Sequence, residues 1–269
     1  LPGHRGHVTL RLRHGKAQLS RMELEEYRRM AELEEAHWWY VATRALLSET
    51  LSPYLSSRDR ILDAGGGTGA TGAWLSEHGR LVVADMEPMG LRLNRERHQA
   101  EGFVAADLGR LPFAHGSFDA VLCVTVLYHR LIASPAAVVG ELARVTRPGG
   151  VVCLLEPGVR RLRRAHDRVT HAARRFSRAD LCGLLTANGL RVERATGAYS
   201  FLVPAAAAKA VVERGRMESD LDDHRNGLGG VLARVAAAER AVLRRVSLPV
   251  GLSVLAVGRV GEGRDQPAK

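Results

Sequence analysis

Three short apolar runs in this 269-residue chain each stop on an aspartate or run through one into glycine. Ile61-Leu62-Asp63-Ala64 leads into Gly65-Gly66-Gly67-Thr68-Gly69, Leu81-Val82-Val83-Ala84 stops at Asp85, and Phe103-Val104-Ala105-Ala106 stops at Asp107. Runs with no polar alternation suit parallel strands buried on both faces between helical layers. Ala120 to Leu127 and Val151 to Leu155 extend the series. Helical stretches with readable ends lie between them. Ser134-Pro135 offers an N-cap and a proline at the first helical position, and Arg147-Pro148-Gly149-Gly150 is expected to stop that helix. Strands alternating with helices point to a doubly wound α/β sheet.

The flanks read differently. Residues 1–19 are rich in His, Arg and Gly without apolar periodicity, and the expectation is a flexible arm. A helical cap is expected over residues 20–57, opened by the capping-box spacing of Ser20-Arg21-Met22-Glu23 and supported by Glu25 and Arg29 at i,i+4. It carries the aromatic cluster His37-Trp38-Trp39-Tyr40. The main domain then occupies residues 58–269. Within it, Ser177 to Asp180 begins a helix that Asn188-Gly189 closes, and Leu190 to Ala195 is strand-like. Residues 201–246 read as a helical insertion, with Val231, Val235, Ala238, Val242 and Val246 on one face. A closing strand over Leu252 to Val260 follows Pro249.

Composition narrows the class. With 46% apolar and 25% charged residues the chain can bury a sizeable core. No apolar run approaches the ~20 residues needed to span a bilayer, and the richest, Phe201 to Val212, carries Lys209. The N-terminal stretch lacks an apolar signal core. Cys123, Cys153 and Cys182 are too few and too scattered for a disulfide framework or zinc cluster, so each reads as a small buried hydrophobe. The expectation is a cytoplasmic globular protein. A net charge of +10 raises nucleic-acid binding. Yet Lys16, Lys209 and Lys269 are the only lysines, and the arginines are spread along the chain except for the run Arg160 to Arg175. That bias matches the codon usage of a GC-rich genome and disfavours nucleic acid as the substrate.

The glycine turn fits two frames. Gly67-Thr68-Gly69-Ala70-Thr71-Gly72 fits the dinucleotide pattern, and Asp63 to Gly69 fits an acid followed by alternating glycines. Either lets backbone N–H groups approach a ligand closely, with a positive helix end behind them. Asp63 would repel a pyrophosphate. S-adenosylmethionine (SAM) has no phosphate and carries an ammonium, ribose hydroxyls and an adenine, groups that suit carboxylates at successive strand ends.

These segments, together with Phe118-Asp119-Ala120-Val121-Leu122 and Leu142-Ala143-Arg144-Val145-Thr146-Arg147-Pro148-Gly149-Gly150, resemble the ordered motifs of class I SAM-dependent methyltransferases over about residues 60–156. Arg174-Arg175-Phe176-Ser177, Phe201 to Pro204, and Trp38, Trp39 and Arg44 resemble a bacterial subgroup that modifies varied small molecules. The resemblance implies a seven-stranded, mostly parallel sheet with an antiparallel last strand, an N-terminal helical arm and a helical insertion before the last strand. It implies that Gly65, Gly67 and Gly69 shape the floor under the methionine portion of SAM. Asp85, with Met86 beside it, would take the ribose hydroxyls. Asp107 would accept from the adenine amino group, with Leu108 beside the ring. Asp63 would order the turn, Thr125 would line the cofactor, and Arg44 would take either the SAM carboxylate or a surface salt bridge.

The residues just after the fourth strand, Val124 to His129, should face the acceptor. Methyl transfer displaces an already activated cation, so alignment can supply much of the rate. A base is needed only for an acceptor that keeps its proton, and His129 is the best placed; packing is its alternative role. Tyr128 and His171 join Trp38, Trp39 and Tyr40 as candidates for the acceptor side. The aromatic faces would cover the sulfonium or pack a helix on the sheet. No Asn-Pro-Pro-Tyr-like stretch, Pro-Cys nucleophile, paired-glutamate loop or acidic metal cluster follows the fourth strand. The expectation is therefore metal-independent methyl transfer to O or N, less readily C, of a small molecule in secondary metabolism or glycan tailoring, with S-adenosylhomocysteine (SAH) as product. A SAM-binding scaffold or non-methylating protein and an RNA methyltransferase are the alternatives, and a homodimer through the helical segments stays open.

Overall fold

The structure, a computed structural model, describes residue 28 and residues 31–159, 173–212 and 229–262. Seven strands form one sheet: β1 (Asp59–Ala64), β2 (Gly79–Asp85), β3 (Gly102–Ala105), β4 (Phe118–Val124), β5 (Thr146–Pro157), β6 (Leu190–Ala198) and β7 (Ser253–Val260). Their spatial order is β3-β2-β1-β4-β5-β7-β6. Strands β1 to β5 pair in parallel, and β7 runs antiparallel to both β5 and β6. The α/β class and the antiparallel last strand are thus as expected. The chain winds outward from β1 to β3 and then returns to lay β4 on the other side of β1. Such a switch point leaves a crevice at the carboxyl ends of β1 and β4.

Helices α1 (Trp38–Leu51), α2 (Pro88–Arg97), α3 (Pro135–Val145), α4 (Arg178–Ala187), α5 (Val203–Val212) and α6 (Gly229–Leu243) accompany the sheet. Successive strand residues point to opposite faces, and the two cores follow that alternation. Ile61, Leu81, Val83, Leu122 and Leu155 pack with Leu46, Leu47 and Leu51 of α1, Leu91 of α2 and Leu243 of α6. Leu62, Val82, Val121, Val152 and Leu154 pack with Val138, Val139 and Leu142 of α3 and Leu181 and Leu185 of α4. The expected caps form. Ser134 Oγ accepts from Ala137 N–H at 3.1 Å ahead of Pro135, and Ser177 with Asp180 closes a full capping box. No helix among the described residues is long and apolar enough to cross a membrane.

Several boundaries differ from expectation. β4 ends at Val124 rather than Leu127, because Thr125 at φ +50° turns the chain out of the sheet. β3 ends at Ala105 rather than Ala106. Arg147 to Gly150 lie in β5, whose first residue Thr146 pairs with Phe118, so α3 stops at Val145 before reaching them. In α6 the valine face is outward: Val231, Val235, Val242 and, just beyond the helix, Val246 are exposed, while Ala236 and Leu243 are buried beside α1. Glu49 of α1, paired with Arg240 at 2.7 Å and Arg244 at 3.0 Å, turns the opposite stripe inward. Cys182 is half-buried, unlike Cys123 and Cys153. The cap is helical over residues 31–36, breaks at His37 and continues as α1. The 1–19 arm, the Ser20 capping box, the Glu25–Arg29 pair and His171 lie outside the described residues.

Candidate active site

The turn after β1 reaches the crevice in a left-handed conformation, with Gly65 at φ +82° and Gly67 at φ +47°. A Cβ on Gly65 would lie 2.3 Å from Val126 Cγ2 and 3.5 Å from Leu108 Cδ1. Glycine there lets the turn close against the loops after β3 and β4. Among the described residues a Cβ on Gly67 would meet only Asp85 Oδ2, at 3.9 Å, so the turn is open on that side. Asp85 at the end of β2 holds the turn directly, its Oδ2 accepting from Gly67 N–H at 2.9 Å and its Oδ1 from Glu87 N–H at 2.8 Å. Asn94 Nδ2 of α2 donates to Gly67 O at 3.1 Å from behind.

Asp63 lies beneath the turn and is only 2% exposed. A Cβ on Gly72 would fall 1.9 Å from its Oδ2, so backbone fits against this carboxylate where no side chain could. That Oδ2 has no hydrogen-bond partner among the described residues, and burial, with the Asp85 charge nearby, pushes the carboxyl up to about 7. Asp107 is exposed at the end of β3, its Oδ1 accepting from Gly109 N–H at 2.8 Å, while Leu108 is buried. Met86 is 51% exposed.

The loop after β4 is held from two sides. Thr125 N–H donates to Leu155 O at 2.7 Å. Glu156, fully buried at the end of β5, accepts at Oε1 from Val126 N–H (3.0 Å) and Leu127 N–H (2.8 Å), and at Oε2 from Tyr128 N–H (3.1 Å). Burial pushes its carboxyl up to about 8, against the three amides and Arg174, which pull the other way. Arg174 Nη1 donates to Leu127 O at 3.2 Å and Ile132 O at 2.7 Å. His129 Nδ1 accepts from Leu131 N–H at 3.2 Å. From this bond the neutral ring is assigned its proton at Nε2.

Residues 31–36 and α1 lie over the turn. Thr68 Oγ1 donates to Glu34 Oε2. Burial raises the Glu34 pKa, against hydrogen bonds from Thr68 and Tyr40 and the charges of Arg97 and Arg44. Burial, Glu34 and the nearby Tyr128 phenol all raise the Tyr40 pKa, so this phenol stays protonated. Among the described residues Arg44 makes no salt bridge of the kind expected. Its Nη1 donates to Ala70 O (2.9 Å) and Glu34 O (3.2 Å) and its Nη2 to Glu35 O (3.0 Å), tying the helical segment to the turn. Trp38 meets Tyr199 edge-on and Trp39 at a tilt, with ring centroids 5.9 and 6.5 Å away, both partly buried against the core.

Residues 62–154, from β1 to β5, match the family described as "Methyltransferase domain". Residues 62–154 carry a methyltransferase domain. A demethylmenaquinone methyltransferase of Beutenbergia cavernae is 42% identical over 100 residues, 36% of this chain and 40% of that protein. A malonyl-[acyl-carrier protein] O-methyltransferase of Pectobacterium atrosepticum is 37% identical over 94 residues, 35% of this chain and 36% of that protein. These matches span well under half of each curated relative. Among solved structures, a Haemonchus contortus phosphoethanolamine N-methyltransferase in complex with S-adenosyl-L-methionine superposes with a TM-score of 0.56 at 15% identity, covering 91% of this chain and 58% of that one.

Two polar anchors escaped the sequence reading. Glu156 ends the apolar run Val151 to Leu155 just as Asp85 and Asp107 end theirs, so its signal was the same one. Glu34 had no comparable signal, because its partner Thr68 is 34 positions away.

Proposed function

We propose that the protein transfers a methyl group from SAM to an O or N atom, less readily a C atom, of a small molecule, without a metal. The observation that carries this reading is the open space on the Cβ side of Gly67, where Asp85 Oδ2 alone comes within 4 Å among the described residues, on a turn whose N–H that same carboxylate accepts. The residues fit SAM. Each Asp85 oxygen spends one lone pair on the backbone and keeps another for a ribose hydroxyl. The orphaned Asp63 Oδ2 lies under the turn, where the amino-acid portion would approach. SAM supplies an electrophilic methyl group already activated by its sulfonium charge. The chain's task is to bind, align and exclude water.

Gly65 and Gly67 would offer backbone to the methionine portion, and Asp107 with Leu108 would hold the adenine. Tyr40 and Tyr128, close enough for one phenol to feel the other, would line the acceptor side. His129 would take the proton from an acceptor that keeps one, after its ring exchanges the Nε2–H tautomer for the other. Arg44 could turn to a cofactor carboxylate only by releasing the Ala70 carbonyl. The quinone and malonyl-thioester chemistry in the relatives' names makes those classes the first acceptors to try.

Incubation with SAM and a panel of quinols, carboxylate thioesters, phenols and amines tests the reading. SAH should accumulate with at least one acceptor. SAM binding without SAH release across the panel would favour a binding or non-methylating role instead.

A further inference from the structure

Glu156 is a carboxylate where an apolar side chain would be cheaper. It is fully buried, follows Leu154 and Leu155 in β5, and lies outside every cofactor and acceptor role assigned above. A buried acid is costly unless its oxygens are met by donors. Here the donors are three consecutive backbone amides, Val126, Leu127 and Tyr128. Successive N–H groups converging on one point form an anion-binding concavity, and the left-handed Thr125 at φ +50° starts the curl. The group that fills this concavity is the protein's own carboxyl. On the opposite side of the loop, Arg174 takes the carbonyls of Leu127 and Ile132. The loop is gripped by its N–H groups from β5 and by its carbonyls from Arg174.

Sheet pairing cannot supply that grip, because β4 has already ended at Val124. The loop meanwhile carries Val126, which lies against Gly65 of the glycine turn, and Tyr128 and His129, which the proposed function assigns to the acceptor side. We propose that Glu156 is a positioning residue, which presets the height and direction of Tyr128 and His129 for methyl transfer. The proposal rests on the methyltransferase reading only for its catalytic consequence.

The bonding pattern gives a selective test. Two amides share Oε1 and one uses Oε2. Glu156→Gln keeps an oxygen for Val126 and Leu127 but turns an NH₂ donor toward the Tyr128 N–H. Amide hydrogen exchange should therefore speed up at Tyr128 by about tenfold or more, the scale of one lost hydrogen bond. Val126, Leu127 and the core amides of β5 should stay within about threefold of wild type. SAH affinity by calorimetry should change less than about twofold, since the glycine turn and Asp85 are untouched. With any acceptor that turns over, kcat should fall about tenfold or more while KM for SAM holds, the signature of an interaction spent on the transition state. Unchanged exchange at Tyr128, uniform loss of protection through β4 and β5, or an unchanged kcat would overturn the proposal. If SAH binds neither wild type nor variant, the methyltransferase reading fails, and the exchange pattern alone still decides whether Glu156 holds the loop.

Discussion

The Thr68 hydroxyl donates to the Glu34 carboxylate, which binds the glycine turn to the helical segment lying over it. Both residues are buried, so neither finds water when its partner is removed. Thr68→Ala should lower stability by ~1–3 kcal/mol, the cost of leaving a buried acceptor unmet. Thr68→Ser, which keeps the donor, should recover most of it. Urea midpoints of the two variants check this, and equal losses would show that the hydroxyl is not what matters.

Asp107 should set adenine recognition. Its side chain is exposed, and its Oδ1 accepts from Gly109 N–H. Asp107→Ala should weaken SAM more than an analogue lacking the exocyclic amino group. Calorimetry with both ligands decides it, and equal losses would remove the contact.

His129→Ala should leave SAM affinity intact and lower kcat by roughly 10²–10⁴ for an acceptor that must lose a proton. The rate should also fall as pH drops through the imidazole titration, since a protonated ring cannot accept. A loss below about tenfold with an unchanged pH profile would leave an enzyme that works by alignment. The Nδ1 bond to Leu131 would then be the reason, as it holds the ring in the tautomer that donates at Nε2.

Stability should depend on pH through two buried acids. Asp63 rises to about 7 and Glu156 to about 8 in the folded protein, from ordinary values of 3.8 and 4.5. Between the unfolded and folded values the native state holds protons that the unfolded state has lost. Stability from these groups therefore falls as pH rises from about 4 and levels off above about 8. His98, whose pKa burial lowers, acts in the opposite sense, so the comparison must be differential. The urea midpoint should fall more steeply between pH 5 and 8 in wild type than in Asp63→Asn/Glu156→Gln. Parallel pH profiles for the two proteins would contradict the assignment.

The strand series was legible because burial on both faces leaves no polar alternation, and the ends of β1, β2 and β3 followed within about two residues. The acids Asp63, Asp85 and Asp107 marked the crevice edge for the same reason. What escaped detection was tertiary. The end of β4 depends on Glu156, 31 positions beyond Thr125, and a strand pattern cannot register a side chain that replaces the sheet ladder with a loop anchor. Arg44 was assigned by its charge to an anion, but the structure gives its guanidinium three carbonyls. The valines of α6 were legible as one face; which face turns inward was set by Glu49 on another helix.

The cofactor assignment is tested most directly by calorimetric titration of SAH into wild type, Asp85→Asn and Asp85→Ala. Wild type should bind at one site. Asp85→Ala should lose at least about tenfold in affinity, because each charge-assisted hydrogen bond to the ribose contributes ~1.5–3 kcal/mol. Asp85→Asn, which keeps one acceptor, should fall between the two. No binding to wild type, or the same affinity in all three proteins, would contradict a SAM site at the Gly67–Asp85 crevice.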